Sequence, residues 1–193
     1  MSTPHTLILA SGSPRRRELL GQLPVSFKVA PADIDETISA GESAREFVQR
    51  MALEKATAGF NQNGRRMPTM GSDTIVVIDD EILGKPSSRA EAESMLVRLS
   101  GQTHRVYSAV VLVEETGHVH EALNVTAVTF GAIPLNWIKQ YCQGDEPMDK
   151  AGAYAVQGGA GQYIRCIEGS YSGVMGLPLY ETAALLRQAG LLT

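Results

Sequence analysis

The chain has 193 residues, 44% hydrophobic and 20% charged, which is typical of a globular protein and long enough for one sizeable domain or a two-lobed one. Its net charge of -4 and its pI of about 5.6 disfavour a general nucleic-acid binder, which usually presents a basic face. No apolar run approaches the roughly 18 residues of a membrane span, and Cys142 and Cys166 lack the spacing of a metal knuckle or a disulfide framework. We therefore expect a cytoplasmic protein with reduced thiols, no membrane segment and no nucleic-acid partner.

Strands and helices alternate in the first half of the chain. Ser43 and Glu46 have the spacing of a capping box, which marks the start of a helix, and Asp79-Asp80 is typical of a turn. The predicted elements are a strand at 6–10, a helix at 14–22, a strand at 25–30, a helix after Ser43, a strand at 69–78 and a short return strand at 81–85.

The second half continues this alternation and adds a hairpin. Ser88 and Glu91 repeat the capping-box spacing before a helix that ends near Gly101, and two β-rich runs surround Thr116-Gly117. The predicted elements are hairpin strands at 103–114 and 118–130, a helix from Pro134 to about Gln143, a glycine-rich loop at 149–161, a strand at 162–167 and a helix from Pro178 to Gly190. The interleaved order predicts an α/β fold with a mixed sheet, and spacing alone does not predict the strand order.

Three arginines follow directly on a predicted junction of strand, turn and helix, "LASGSPRRREL". Ser13 and Pro14 are favoured at the N-cap and first helical positions, so the arginines lie where the helix dipole is already positive. Either Arg15, Arg16 and Arg17 are solvated surface residues, or Arg15 and Arg16 bind a phosphate chain together with the helix N–H groups. The chain has no P-loop, since "GKPS" lacks the leading glycine, and "GGAGQY" does not match GxGxxG.

Two charged residues fall on predicted buried faces. Lys55 continues the apolar stripe of Phe47 and Met51, so it either snorkels at the edge of the core or points into a cleft. Asp73 lies within an apolar strand, where a carboxylate is costly unless it is paired or bound to a metal. A buried, hydrogen-bonded aspartate is the structural alternative for Asp73.

The remaining acidic and basic candidates complete a phosphate site. Glu36 and Asp73 would supply an oxygen pair for Mg²⁺ or Mn²⁺. Lys85, between Gly84 and Pro86, is either a surface lysine or a further phosphate-neutralising charge beside Lys55 and the arginines. Four cations and two acids from separate segments suit a nucleoside triphosphate with its divalent metal.

Eight short blocks, taken in order, resemble the Maf family of nucleoside triphosphate pyrophosphatases along nearly the whole chain. They are "LASGSPRRREL", "DIDET", "ALEKA", "GSDTIV", "GKP", "LSGQTHRVYSAV", "DKAGAYAVQG" and "GSYSGVMGLPL". The resemblance implies a fold like that of inosine triphosphate pyrophosphatases, an elongated mixed β-sheet flanked by helices with a central cleft. It implies a single Maf-like domain over 1–193, with two lobes around the cleft. It also implies hydrolysis between the α and β phosphates, which releases a monophosphate and pyrophosphate.

The resemblance further implies a role for individual residues. Asp73 matches the proton acceptor for the attacking water, and Glu36 matches its acidic partner near the metal. The positions that match the family's phosphate site are Ser11, Arg16, Lys55 and Lys85. Our hypothesis is that Glu36 and Asp73 hold the divalent ion in part, while Arg15 and the phosphate-site cations stabilise charge that develops on the phosphates.

Three further positions concern which nucleotide base the protein prefers. Family members that prefer uridine or thymidine triphosphate resemble this chain in having Arg15, Thr74 and Gln157, whereas those acting on 7-methyl-GTP have Trp, Gln and Glu there. An amide such as Gln157 can present a donor and an acceptor to a uracil or thymine edge. The resemblance thus predicts a dTTP/UTP pyrophosphatase with a house-cleaning role. The alternatives are a pyrophosphatase for modified purine nucleotides such as 7-methyl-GTP and a nucleotide-binding regulator of septum formation. A homodimer is compatible with the resemblance.

Overall fold

The computed structural model describes residues 6–193, so the first five residues of the expected domain lie outside the described residues. Seven strands form one sheet: β1 (Leu7–Leu9), β2 (Phe27–Val29), β3 (Thr69–Ile78), β4 (Glu81–Leu83), β5 (Thr103–Val113), β6 (Val119–Phe130) and β7 (Ile164–Glu168). The α-helices are α1 (Pro14–Leu20), α2 (Ala44–Gln62), α3 (Arg89–Leu99), α4 (Leu135–Tyr141), α5 (Tyr171–Met175) and α6 (Leu179–Gln188). No α-helix within residues 6–193 has the length and apolar character needed to cross a membrane.

The sheet is mixed, as predicted. Its strand order is β2-β1-β3-β5-β6-β7, with β4 paired to β3 beside this path. β1 runs parallel to β2 and to β3, whereas every other pairing is antiparallel. The interleaved elements therefore produce the expected α/β fold, and the predicted hairpin is the β5–β6 pair.

One edge of β3 is left open in its middle. On one side, β3 pairs with β5 from Thr69 to Val77. On the other side, β1 pairs only with Thr69 and Met70, and β4 pairs only with Val76–Ile78. Among the described residues, no strand pairs with this edge over 71–75. The gap exposes the centre of a buried strand to a cleft.

The two faces of β3 and β5 are covered differently because their side chains alternate. Ile75, Val77 and Val111 pack on one face with the inward stripe of α2. On the other face, one apolar cluster joins α3 and α4 to one end of the sheet, and a second joins α1 and α6 to the other end. Polar residues, namely Ser72, Thr74 and Ser108, lie between these two clusters. The change from apolar to polar residues on this face coincides with the open edge.

The sequence missed several short elements. A 3-10 turn at Ala151–Ala153 lies within the predicted loop at 149–161, and another spans Glu146–Asp149. A third, Gly159–Tyr163, extends past this loop, so the strand predicted at 162–167 begins only at Ile164. α5 was not predicted; its five residues contain a glycine and carry too little periodicity to recognise. The other predicted helices differ at their ends by one or two residues, where helices commonly fray.

Gly71 allows α2 to lie directly against β3. A Cβ at Gly71 would lie 2.4 Å from both the Ala52 carbonyl oxygen and the Ala56 nitrogen, which are backbone atoms of α2. This close approach brings Lys55, between those two residues on α2, next to Asp73, which lies two positions along β3 on the same face.

We predict that Gly71→Ala lowers the free energy of unfolding by about 1–3 kcal/mol, because α2 must move away from β3 to admit the methyl group. Urea denaturation followed by circular dichroism measures the change. Gly84→Ala is the matched control, since a Cβ there meets nothing within 4 Å. Equal stability of both variants would contradict this role for Gly71.

Candidate active site

A cleft of about 610 Å³ lies at the open edge of β3. It is lined by residues from α1, α2, β3, the segment after β4, the glycine-rich segment and α5. All the candidates selected from the sequence line it: Ser11, Arg15, Arg16, Glu36, Lys55, Asp73, Thr74, Lys85 and Gln157. Arg17, by contrast, is an exposed residue outside this cleft.

Lys55 joins the two acidic candidates. Its Nζ lies 2.7 Å from Asp73 Oδ1 and 2.7 Å from Glu36 Oε1. Lys55 and Asp73 are each 8% exposed, so this lysine points into the cleft instead of snorkelling to the surface. The carboxylate of Asp73 is thereby paired, as a buried charge requires.

The charge of Glu36 is maintained by its neighbours. Partial burial favours the neutral carboxyl group, but the hydrogen bond and charge of Lys55, together with Lys85 and Arg16, hold the pKa of Glu36 below its usual value. Glu36 is therefore ionised at neutral pH. Two carboxylates and three cations thus share one part of the cleft.

Arg16 is held by neutral acceptors. Its Nε donates to the Gly176 carbonyl oxygen at 2.8 Å, and its terminal nitrogens lie 3.4 Å from Ser11 Oγ and from Thr74 Oγ1. Burial lowers the pKa of Arg16, and the charge of Asp73 opposes that shift. Guanidinium stays protonated in proteins, so Arg16 keeps a positive charge that none of these neutral acceptors cancels.

The hydroxyl groups on the open stretch of β3 support this arrangement. Thr74 Oγ1 lies 2.7 Å from the hydroxyl of Ser108 on β5, which is fully buried. Ser72 Oγ donates to the Gly176 carbonyl oxygen at 3.1 Å, and the same oxygen accepts the hydrogen bond from Arg16 Nε. Ser72, Ser108 and Gly176 belong to the site but were not selected from the sequence, because hydroxyl groups and backbone carbonyls have no distinctive spacing.

A further charged pair lies at the mouth of the cleft. Asp149 Oδ2 lies 3.3 Å from Arg15 Nη1, and Asp149 Oδ1 lies 2.5 Å from Lys150 Nζ. With Lys150 included, cationic side chains outnumber carboxylates five to three in the cleft of a protein whose net charge is -4. Asp149 and Lys150 lie in the block "DKAGAYAVQG", from which only Gln157 was selected as a site residue on the basis of the sequence.

The cleft also has apolar lining. Its apolar side chains include Ile38, Ile82, Val106, Val174 and Met175, and the exposed Gln157 faces the cleft as well. A cleft lined by cations and also by apolar side chains and an amide suits a ligand with both a phosphate chain and a flat heterocycle.

The donor set fits a divalent ion that also binds a ligand. Glu36 and Asp73 each lie within 2.7 Å of the same ammonium group, so their oxygens are close enough to reach one cation. Within residues 6–193, no group of three or more His, Cys, Asp or Glu side chains is arranged to hold a metal. Magnesium commonly binds through one or two carboxylates plus substrate phosphates, which matches a two-carboxylate set.

The sequence relatives agree with these observations. The family model described as Maf-like protein matches residues 6–189. The chain belongs to the Maf family. It is 49% identical over 195 residues to a protein named dTTP/UTP pyrophosphatase from Cupriavidus pinatubonensis, which covers 96% of this chain and 97% of that one. It is also 49% identical over 181 residues to a dTTP/UTP pyrophosphatase from Escherichia coli K12, which covers 94% of this chain and 91% of that one.

The Maf fold seen here also resembles a solved structure of a HAM1 protein from Coxiella burnetii. The TM-score is 0.55 at 18% sequence identity, and the match covers 96% of this chain and all of that one. At this identity the likeness concerns the fold alone. The expected elongated α/β fold is therefore confirmed by the architecture and by this neighbour.

Behind the cleft of this Maf protein lies a buried aromatic cluster. Tyr154 lines the cleft, and its Oη lies 2.7 Å from His104 Nε2. His104 is 1% exposed and stacks on Phe130, with ring centroids 5.5 Å apart. Burial lowers the pKa of His104 to about 4, so the imidazole is neutral at physiological pH.

We predict that His104 makes the stability of the protein depend on pH. The unfolded state, with a histidine pKa of 6.5, binds a proton more readily than the folded state, with a pKa of about 4. The contribution of neutral His104 is therefore complete above pH 6.5 and is lost as the pH falls to about 4. The shift corresponds to about 3 kcal/mol.

Urea denaturation between pH 7.5 and pH 4 tests this dependence on wild type and on His104→Gln, which cannot titrate. Wild type should lose about 3 kcal/mol more than the variant over this range. Parallel pH profiles for the two proteins would contradict the assignment.

Proposed function

We propose that the cleft binds dTTP or UTP and hydrolyses the bond between the α and β phosphates, releasing the nucleoside monophosphate and pyrophosphate. The observation that carries the proposal is the meeting of Lys55, Asp73 and Glu36 at the open edge of β3, in a cleft that Arg15 and Arg16 also line. Relatives at 49% identity that bear the name dTTP/UTP pyrophosphatase support the substrate and the reaction.

In this proposal, Asp73 activates the water. Lys55 donates to Asp73 Oδ1, so we assign the attacking water to Oδ2. The water oxygen attacks the α-phosphorus while its proton passes to Asp73, and the bond to the β-phosphate oxygen breaks as pyrophosphate leaves. Asp73 is only 8% exposed, which limits the access of competing bulk water.

The cations stabilise charge on the phosphates. Arg16 has a fixed orientation because Gly176 and the Ser11 hydroxyl hold it, and its guanidinium is suited to paired contacts with phosphate oxygens. Lys55 and Lys85 would neutralise charge that develops on the α-phosphate and on the leaving pyrophosphate. Arg15 and Lys150, at the mouth of the cleft, would contact the outer phosphates.

We propose that Glu36 and Asp73 hold a divalent ion, Mg²⁺ or Mn²⁺, together with the phosphates. Such an ion supplies charge neutralisation on the triphosphate when bound. Lys55 lies between these two carboxylates, so its ammonium would have to shift toward the phosphates to admit the ion. This shift would turn Lys55 from a partner of the carboxylates into a ligand for substrate.

The base would pack against apolar side chains of the cleft. Gln157 can offer both a donor and an acceptor to a pyrimidine edge. Thr74 has its hydroxyl engaged by Ser108 and lies within reach of Arg16, so it would shape the site through that arginine. A house-cleaning enzyme of this kind would act in the cytoplasm, where Cys142 and Cys166 stay reduced.

We predict that pyrophosphate release in the presence of Mg²⁺ or Mn²⁺ is at least about tenfold faster for dTTP and UTP than for GTP and ATP, because the amide of Gln157 matches a pyrimidine edge. The measurement is kcat/KM on a panel that also contains CTP and 7-methyl-GTP. EDTA should stop the release, and added metal should restore it.

Two other outcomes of the panel would overturn parts of the proposal. A preference for 7-methyl-GTP would keep the catalytic residues but contradict the base assignment. No turnover of any nucleotide by folded, metal-loaded protein would favour the nucleotide-binding regulator.

We predict that Asp73→Asn lowers kcat for dTTP by roughly 10²–10⁴-fold, because the amide cannot accept the proton from water. Asp80→Asn is the matched control. Asp80 is an exposed turn residue with φ of 62°, a conformation that asparagine also tolerates. Thermal unfolding of both variants separates loss of chemistry from loss of fold, and an unchanged kcat in Asp73→Asn would exclude Asp73 as the proton acceptor.

A further inference from the structure

The two adjacent glycines after Gln157 are packed against α4 and the turn that follows it. A Cβ at Gly158 would lie 1.9 Å from Glu146 Oε1, and a Cβ at Gly159 would lie 3.3 Å from the Tyr141 ring. The "GG" pair therefore permits close approach of the backbone to these side chains. Both glycines therefore have a packing role.

Glu146 is the side chain that ties this segment down. Its Oε1 accepts a hydrogen bond from the backbone nitrogen of Gly159 at 3.1 Å and another from Tyr141 Oη at 2.8 Å. Its backbone oxygen accepts from Lys150 Nζ at 2.8 Å. One residue thus joins α4, the cationic mouth of the cleft and the end of the segment that carries Gln157.

The support beneath Glu146 is rigid. The Tyr141 ring stacks on Trp137 with centroids 4.7 Å apart and an interplanar angle of 15°, and Trp137 meets Tyr163 edge-on at 4.7 Å. Burial, followed by the hydrogen bond to Glu146, raises the pKa of Tyr141, so its hydroxyl remains a donor at neutral pH. The stacking contact with Trp137 and the hydrogen bond to Glu146 hold this hydroxyl in place.

We propose that Glu146 is a positioning residue for base selection: it fixes the backbone at 158–159, and thereby places the Gln157 amide in the cleft. Glu146 itself is not among the described residues that line the cleft. It would tune the choice of base without contact with the nucleotide. This inference rests on the proposed function, in which Gln157 contacts the base.

The kinetic test compares Glu146→Ala with Glu146→Gln, whose amide oxygen can still accept both hydrogen bonds. We expect Glu146→Ala to lower the ratio of kcat/KM for dTTP over ATP about tenfold. This is the size of one lost neutral hydrogen bond, here the proposed bond between the Gln157 amide and the base. The loss should appear in the KM for dTTP, because the groups proposed for the chemistry lie on α1, α2, β3 and the segments that carry Glu36 and Lys85, none of which contains Glu146. Glu146→Gln should keep the ratio within about threefold of wild type, and Glu115→Ala, at an exposed turn, is the surface control.

A double-variant cycle separates positioning from general damage. In Gly158→Ala the added methyl group collides with the carboxylate, so this variant should reproduce the selectivity loss of Glu146→Ala. In the double variant the collision is absent, so the two effects should not add. Additive effects, or an equal loss of kcat for dTTP and ATP in Glu146→Ala, would overturn the proposal.

Amide hydrogen exchange supplies a readout that does not depend on turnover. The amide of Gly159 should exchange faster in Glu146→Ala than in wild type, and Glu146→Gln should restore its protection. Unchanged exchange in Glu146→Ala would refute the positioning role even if the enzyme is active. If wild type hydrolyses no nucleotide while the exchange results hold, the proposed function fails and the positional part of the inference stands.

Discussion

The open stretch of β3 between β1 and β4 is the constraint on which the rest of the structure depends. A central strand normally has both edges paired, and its residues are then inaccessible to ligand. Here β1 ends opposite Met70 and β4 pairs only with Val76–Ile78, so Asp73 and Thr74 lie on rigid backbone yet face a cleft. The sheet therefore supplies a fixed platform for polar groups without an additional loop.

Polar groups placed on such a platform must be satisfied from other elements. Lys55 reaches Asp73 because Gly71 lets the backbone of α2 approach β3, and Glu36 closes the same group from a segment without regular structure. Arg16 is satisfied instead by neutral oxygens, so it stays available to a phosphate. In one part of the site, Lys55 is paired with two carboxylates. In the other part, Arg16 donates its hydrogen bonds to neutral oxygens and its positive charge is not neutralised by them.

The residues that the sequence pattern alone identified are those that break it, whereas Ser11, Thr74 and Gln157 were selected only through the family resemblance. Lys55 interrupts an apolar helical stripe and Asp73 interrupts an apolar strand, and both anomalies point directly to the cleft. Ser108 and Gly176 carry no such signal, because their roles arise from contacts between segments far apart in sequence. The order of the strands could not be predicted for the same reason, since parallel pairing of β1 with β3 joins residues about sixty positions apart. The glycine pair at 158–159 was predicted only as part of a glycine-rich loop. In the structure, close packing against Tyr141 and Glu146 explains why glycine occupies both positions.

The carbonyl of Gly176 also sets the order in which the site is completed during synthesis. The central strands β3, β5 and β6 lie within residues 69–130 and can pair before the last third of the chain has emerged from the ribosome. Arg16, near the beginning, obtains its shortest hydrogen bond only when Gly176, near the end, has docked. The nascent protein therefore has a sheet well before Arg16 is oriented, so under the proposed function its phosphate site is completed last.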